Sequence, residues 1–225
     1  MKKVNILRID FDSTDIVEAV AHGIRLMEEH RQSYLLAPGY DTVLETRYSK
    51  KLRRALQGAE MILPSGKGLV AASHVLGSPI RSLIPGELFA SALLARMSDL
   101  GMSVYLVGEG YTTERAAQAI HARFPGLVLA GTSDLRLASD ERVAEVINSV
   151  SPDLLLVGLD EVRQELWIAR NRERVNAGLI AGLGDTLYKL AGEEAPAEKK
   201  RPTEFLKVPE IVFAALWGRI SGTGT

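Results

Sequence analysis

The sequence contains no cysteine. This absence excludes disulfide bonds, thiolate nucleophiles, iron–sulfur clusters and zinc–thiolate sites from its chemistry. It is compatible with a reducing compartment, and we expect the protein to be cytoplasmic.

Two other features are missing. Neither sign of charge is in excess, because 27 lysines and arginines nearly balance 28 aspartates and glutamates, so we expect no nucleic-acid partner. No hydrophobic run reaches the roughly 18–20 residues that a membrane-spanning helix needs. The short apolar start is broken by Arg8 and Asp10, which argues against a signal peptide.

What the sequence has instead is an alternation of short apolar runs with longer helical patterns. The strand-like runs are VNILRI, SYLLAP, EMILP, PIRSLI, VYLVG, GLVLAG, DLLLVGL and GLIAGLG. Several of them are apolar throughout, which is typical of parallel strands covered on both faces. The segments between them repeat apolar residues at helical spacing. The alternation predicts a doubly wound α/β fold with a mostly parallel, Rossmann-like sheet.

The character of the chain changes near its end. We assign residues 1–192 to the α/β domain and 193–202, which are rich in charge and proline, to a linker. Residues 203–220 form a predicted amphipathic helix, and 221–225 have the composition of a disordered tail. A helix with basic flanks and an apolar, aromatic band can lie at a membrane interface, pack on its own domain or pack on a twin subunit.

The first of three glycine-containing turns is Pro64-Ser65-Gly66-Lys67-Gly68. Its backbone N–H groups and the following helix start could cradle a phosphate, with Lys67 adding charge. The spacing of a P-loop is absent. The alternative is a structural turn that needs glycine for its backbone conformation.

The second turn lies in VYLVGEGYTTERAA, where Gly108 and Gly110 match the start of a dinucleotide fingerprint. The third glycine is missing, and we favour a structural role in which Thr112 or Thr113 caps the next helix. A Rossmann oxidoreductase is further disfavoured because we find no acidic residue at a credible ribose position.

The third turn follows DLLLVGL. Gln164 lies near the start of the next helix and offers both a donor and an acceptor, which suits the edge of a uracil or a sugar. The alternative is an ordinary helix start with Trp167 in the core. Gly184 and Asp185 end the last strand, so they could close the same pocket.

No metal site is predicted. The four histidines fall inside helical patterns without any ligand spacing; they are His22, His30, His74 and His121. A GxSxG nucleophile elbow is absent as well.

Taken in order, these landmarks resemble the WecG/TagA/CpsF glycosyltransferase family. The resemblance rests on LPSGKGLV, RSLIPGELF, VYLVGEGYTTERAAQAIHARFPGLVLAG, PDLLLVGLDEVRQELWI and GLIAGLGDTLYKLAG. It implies an inverting, metal-independent transfer of an N-acetylated hexosamine from UDP to a polyprenyl-linked acceptor in cell-surface polysaccharide synthesis. It also implies that the C-terminal appendage contacts the inner face of the membrane and helps to complete the active site.

The chain departs from this family at its most polar positions. The family pattern P-D-G-x-G supplies an aspartate base, and Ser65 stands in its place. The Thr-x-Asn of the sugar pocket falls on Ala37-Pro38-Gly39. The late G-x-F-D acid is also absent, because Leu187 and Tyr188 occupy its motif.

Other landmarks persist. The arginine before P-G corresponds to Arg81, and both residues of the Q-E pair remain as Gln164 and Glu165. Glu87 replaces a family aspartate and is our candidate for a substitute base. We therefore predict Ser65 and Glu87 as catalytic residues, and as ligand-binding residues Gly39, Gly66, Lys67, Gly68, Arg81, Gly108, Gln164 and Gly184.

Two functions follow from these expectations. The first is a glycosyltransferase that uses a UDP-N-acetylhexosamine. The second is an inactive relative, a pseudo-glycosyltransferase that serves as a binding or partner subunit in envelope polymer assembly. A serine hydroxyl is a poor general base near neutral pH, and losing such a base typically costs about 10²–10⁴ in rate.

Overall fold

The computed structural model describes residues 1–29, 32–193 and 204–220. Of residues 161, 204–207 and 217–220 it describes the backbone alone. His30, the predicted tail and all but the first residue of the predicted linker lie outside the described residues.

A β-hairpin opens the chain and stands apart from the main sheet. It pairs β1 (Lys2–Ile6) with β2 (Ile9–Ser13) in antiparallel register. The sequence predicts a single strand here. The hairpin was missed because its two-residue turn uses Leu7 and Arg8 at φ of 53° and 67°, a left-handed conformation that glycine or asparagine normally signals.

Six parallel strands form the main sheet, which confirms the predicted doubly wound α/β fold. In chain order they are β3 (Ser33–Leu36), β4 (Met61–Ile62), β5 (Ser103–Gly108), β6 (Val128–Asp134), β7 (Leu154–Gly158) and β8 (Leu179–Gly182). Their order across the sheet is β4-β3-β8-β7-β5-β6.

Ten helices accompany the sheet in the described chain. They are α1 (Ile16–Glu28), α2 (Tyr40–Glu45), α3 (Lys50–Gln57), α4 (Lys67–Val75), α5 (Gly86–Asp99), α6 (Tyr111–Arg123), α7 (Asp140–Val150), α8 (Glu161–Asn171), α9 (Thr186–Leu190) and α10 (Glu204–Ile220).

The apolar strands are explained by the two cores that the sheet separates. Alternate residues of β7 enter opposite cores: Leu154 belongs to the core that α1, α5, α6 and α9 help to form, whereas Leu155 belongs to the core that α3, α7, α8 and α10 help to form. All five residues of β7 are buried. Because both faces are covered, these strands show no polar alternation.

The run PIRSLI, predicted as a strand, is instead a loop between α4 and α5. Its apolar side chains Ile80 and Ile84 are buried. Its backbone groups bond outside any strand, since Ile80 N–H donates to Ser73 Oγ (2.9 Å) and Ile84 N–H donates to the carbonyl of Pro64 (3.0 Å). The prediction of a strand was wrong because buried apolar residues occur in this loop as well as in strands.

Helix α10 packs against α4 of its own domain. Ile211 and Ala214 are buried, and Glu210 lies 3.8 Å from Arg47. The other side of the helix exposes Phe213 and Leu216. None of the described helices is long and apolar enough to cross a membrane.

Candidate active site

The sheet has a topological switch point between β3 and β8. The chain leaves β3 for α2 and α3, which lie on one face, and leaves β8 for α9 on the other. Connections that diverge in this way open a crevice at the carboxyl ends of the two strands, where ligands of α/β proteins usually bind.

A cavity of about 130 Å³ occupies this crevice, and we call it the switch-point cavity. It is lined by Ala37, Gly39, Ser65, Gly66, Pro85, Gly86, Leu183, Gly184, Asp185 and Lys189. Four of the predicted site residues therefore meet here: Gly39, Ser65, Gly66 and Gly184. The structure brings together turns that lie far apart in the sequence.

The remaining residues of the first turn belong to a helix start. Gly66 is the N-cap of α4, so Lys67 and Gly68 form the first turn of that helix. Lys67 is exposed, whereas Gly68 is buried. Both adjoin the cavity without lining it.

Ser65 lies in the cavity wall, but its hydroxyl is engaged by the backbone. Ser65 Oγ lies 2.9 Å from the carbonyl oxygens of both Ala37 and Pro38. Since carbonyls only accept hydrogen bonds, the single hydroxyl hydrogen is donated to one of them or shared between the two. Ser65 thus ties the loop after β4 to the loop after β3, and this geometry gives it no basic character.

A carboxylate at the start of α9 and an ammonium group in its last turn lie in the cavity wall. Lys189 Nζ lies 3.0 Å from Asp185 Oδ1, one helical turn away, and both side chains are about half exposed. Among the described residues that line the cavity, these two are the charged ones. The sequence predicts Asp185 as a residue that closes the pocket, whereas Lys189 was missed.

Glu87, the predicted substitute base, reaches the cavity only indirectly. Its carboxylate lies 3.8 Å from Lys189 Nζ, and Glu87 itself is not among the residues that line the cavity. Glu87 and Asp185 therefore share one lysine. Of the two carboxylates, Asp185 is the one in the wall.

Gln164 is fully buried under the cavity rather than exposed to it. In the orientation that satisfies both polar atoms, its amide nitrogen donates to the Val157 carbonyl (2.8 Å) and its oxygen accepts from Gly184 N–H (3.2 Å). The side chain joins the end of β7 to the loop after β8. Trp167, one turn later, is buried in the core.

Arg81 lies at the start of α1, outside the cavity wall. Its guanidinium pairs with Asp15 (3.0 Å) and Glu18 (3.3 Å), and its backbone N–H donates to Ser13 Oγ (2.9 Å). The side chain is more than half exposed. These contacts place the positive charge where α1 begins.

Gly108 ends β5 at a point of close packing. A Cβ on Gly108 would collide with Thr113 Oγ1 and lie 3.1 Å from the Gly158 carbonyl. The helix after this turn is capped by Gly110, whose φ of 71° requires glycine, so the predicted cap at Thr112 or Thr113 was wrong.

An acidic residue does stand at a ribose-like position, contrary to the sequence-based expectation. Asp134 ends β6, the strand after α6, and accepts a hydrogen bond from Gly110 N–H (2.9 Å). The Arg136 guanidinium bonded to Asp134 holds the pKa of that carboxyl below its usual range. Asp134 was missed because its nearness to Gly110 depends on the parallel pairing of β5 and β6.

The comparison with known proteins settles the family. The model of the glycosyl transferase WecG/TagA/CpsF family matches residues 4–203. The chain belongs to this family. The resemblance inferred from its sequence motifs is thereby confirmed.

Two relatives show how far this family member has diverged. A Staphylococcus aureus protein is 29% identical over 227 residues, and the match covers 97% of this chain and 87% of the relative's length. A Bacillus spizizenii protein is 24% identical over 209 residues, covering 92% and 80%. Both relatives are named N-acetylglucosaminyldiphosphoundecaprenol N-acetyl-beta-D-mannosaminyltransferase.

Gly86 offers a test of how tightly the cavity is built. A Cβ at Gly86 would lie 2.7 Å from the Leu183 carbonyl oxygen, so Gly86→Ala must push α5 and the loop after β8 apart. We expect the free energy of unfolding to fall by about 1–3 kcal/mol, as overpacked sites do. Chemical denaturation measures the change. Leu88→Ala, at an exposed site on α5, is the control, and equal stability of Gly86→Ala and wild type would contradict the packing described here.

Proposed function

We propose that the protein transfers an N-acetylated hexosamine from UDP to a polyprenyl-diphosphate-linked acceptor. The observation that carries the proposal is the pair Asp185 and Lys189 in the switch-point cavity of a chain that belongs to this glycosyltransferase family. The activity named for its relatives supplies the class of acceptor.

The size of the cavity supports binding of only one part of the donor inside it. About 130 Å³ is well below the roughly 300–1,000 Å³ of sites that enclose a whole drug-sized ligand. The cavity suits the sugar or a phosphate group alone. The nucleotide would then extend along the same edge of the sheet, across the carboxyl ends of β7 and β5.

Asp185 can supply the base that Ser65 does not. In the proposed step the acceptor hydroxyl oxygen attacks the anomeric carbon, the bond from that carbon to the diphosphate oxygen breaks, and the hydroxyl proton passes to the Asp185 carboxylate. UDP leaves with the bonding electron pair. The Lys189 ammonium group offers positive charge to the departing diphosphate.

Asp134 is the proposed contact for the nucleotide ribose. It follows the Gly108–Gly110 turn by one βαβ unit, the position from which acidic residues bind ribose hydroxyls in related folds. Its lowered pKa keeps it ionised and therefore an acceptor. The carboxylate already accepts four hydrogen bonds, one from Gly110 N–H and three from Arg136, so binding a ribose hydroxyl requires the Arg136 guanidinium to give up one of its bonds.

Conversion of Asp134 to asparagine tests this contact. We expect Asp134→Asn to weaken UDP binding by roughly tenfold, the effect of one hydrogen bond to a charged group. Titration calorimetry with UDP measures the affinity. The matched control is Asp99→Asn on the surface of α5, and unchanged UDP affinity in Asp134→Asn would remove Asp134 from the donor site.

Membrane contact through α10 is part of the proposal. The helix is fixed to α4 by one side and exposes Phe213 and Leu216 on the other. Exposed aromatic and aliphatic side chains of this kind support binding at a membrane interface. Such contact would place the protein at the inner face of the membrane that carries a polyprenyl acceptor.

The second candidate, a non-catalytic partner subunit, is favoured by one observation. The Ser65 hydroxyl occupies the place of the family base and is committed to two carbonyls. A protein that kept the cavity for binding and had lost transfer would need nothing more from this residue.

A transfer assay separates the two candidates. Purified protein is incubated with UDP-N-acetylmannosamine or UDP-N-acetylglucosamine and a short-chain polyprenyl-diphosphate N-acetylglucosamine. The proposal predicts an elongated lipid-linked product and release of UDP. Binding of UDP without any product would select the partner subunit, and an absence of both would reject the two candidates together.

A further inference from the structure

A second concave site lies at the opposite edge of the sheet from the switch-point cavity. It is a cleft of about 600 Å³ between α3 and α8, and we call it the α3–α8 cleft. Its floor includes Tyr34, near the amino end of β3, and Gly58, which precedes β4. The switch-point cavity borders the carboxyl ends of the same strands. The two sites therefore lie at opposite ends of β3 and β4.

The lining of this cleft is strongly basic. Helix α3 contributes Lys50, Lys51 and Arg54, and the end of α8 contributes Arg170 and the adjacent Arg172. Among the described residues of the lining, Glu173 is the one that is acidic. In a chain whose charges nearly cancel overall, this concentration of one sign is local.

Only the α8 side of the cleft is neutralised. Arg172 pairs with Glu173 (3.6 Å), and Arg170 pairs with Asp140 (3.4 Å). Lys50, Lys51 and Arg54 form no ion pair with any residue that the structure describes, and all three are exposed. Three positive charges therefore point at one concave surface without a countercharge from the described chain.

Their position costs the fold some stability. Lys50 and Lys51 occupy the first turn of α3, which carries no acidic residue, and cations are unfavourable at that end of a helix dipole. Arg53 and Arg54 follow within the same helix, so like charges are crowded together. An anion in the cleft would relieve both the dipole and the crowding.

The cleft is built on a rigid floor. The Tyr34 hydroxyl donates to the Ala55 carbonyl, and the Arg172 guanidinium lies 5.5 Å from the centre of the Tyr34 ring. Burial raises the pKa of Tyr34 to about 12. The phenol consequently stays neutral and adds no negative charge to the floor.

We propose that the α3–α8 cleft binds a ligand that carries two or more phosphate groups. Lysine ammonium and arginine guanidinium groups on facing walls match the charge and the oxygen geometry of such a ligand. The site is separate from the proposed donor site and needs no transfer activity. The phosphates could belong to a soluble molecule or to lipid headgroups, which the test distinguishes.

The first arm of the test uses sodium tripolyphosphate as the probe in titration calorimetry with the full chain. The triple variant Lys50→Gln/Lys51→Gln/Arg54→Gln should bind it at least about tenfold more weakly than wild type. The control triple variant Lys2→Gln/Arg25→Gln/Arg142→Gln removes the same charge from exposed positions elsewhere and should bind as wild type does. All substituted residues are exposed, and thermal melts verify that both variants fold.

The second arm uses co-sedimentation with phosphatidylcholine vesicles, with and without cardiolipin, whose headgroup carries two phosphates. If only tripolyphosphate binding depends on the three α3 residues, the ligand is soluble; if binding to the anionic vesicles depends on them as well, headgroups are the source. Either outcome supports the phosphate site. Equal loss in the two triple variants, or no binding of either probe by wild type, would overturn it. The α3 triple variant should still bind UDP with the affinity of wild type. Retained UDP binding would show that the loss of phosphate binding in the cleft is separate from the proposed transferase function.

Discussion

The Asp185→Asn variant is expected to lose about 10²–10⁴ in the rate of sugar transfer, the contribution of a positioned general base. The change keeps the shape of the side chain and removes its ability to take the acceptor proton. Affinity for UDP should change far less, because the assigned role of Asp185 lies in the proton transfer. Initial rates at saturating donor, together with calorimetry for UDP, measure the two effects separately.

Glu87→Gln provides the critical comparison for Asp185. Glu87 contacts Lys189 at 3.8 Å and does not itself line the cavity, so its loss should alter the rate through Lys189 by much less than the loss of Asp185. Asp99→Asn on the surface of α5 is the control for an acid-to-amide change. If Glu87→Gln abolished transfer while Asp185→Asn left it intact, the base would be Glu87, as the sequence alone suggested.

Replacement of Gln164 with leucine should destabilise the whole protein. The buried amide satisfies the Val157 carbonyl and the Gly184 N–H, and leucine leaves both groups unpaired in a dry interior. Each such group costs roughly 1–3 kcal/mol. We expect a fall in the free energy of unfolding of about 2–5 kcal/mol, with loss of UDP binding because Gly184 is no longer held in the cavity wall. Chemical denaturation and calorimetry provide the two measurements.

Gln118→Leu, at an exposed position of helix α6, controls for the substitution itself and should leave stability nearly unchanged. A Gln164→Leu protein that unfolds like wild type yet cannot bind UDP would show that the amide contacts the donor directly. That result would restore the donor-reading role that the sequence predicts and would contradict the positioning role.

The architecture was predictable because a strand that is buried on both faces of a parallel sheet is apolar along its length. The run LLLVGL is apolar at every position, which is typical of a parallel strand covered on both faces. The failures arose where local conformation escapes that rule. The Leu7–Arg8 turn lacks the residues that usually announce a hairpin, and PIRSLI is apolar because a loop covers the core.

The candidate site was predictable only in part, for a different reason. Glycine turns after strands identified Ser65, Gly66 and Gly184, since parallel strands end at one edge, and the family resemblance added Gly39. The charged groups required the fold itself. Lys189 enters the cavity because the short α9 turns it back onto Asp185.

Asp134 was missed and Gln164 was predicted as a ligand contact, and in both cases the sequence could not show the three-dimensional contacts. Asp134 comes beside Gly110 only through the pairing of β6 with β5. Gln164 has a polar side chain near a strand end, which resembles a ligand contact in sequence, yet it is fully buried and bonded to backbone. Neither relation is visible from spacing.

The most direct test of the central claim is a crystal structure of the protein grown with UDP and an N-acetylhexosamine donor. We expect the sugar or its adjoining phosphate to lie in the switch-point cavity, within contact of Asp185 and Lys189, with the nucleotide extending toward Asp134. A donor bound elsewhere, for example in the α3–α8 cleft, while the switch-point cavity holds only solvent, would contradict the account.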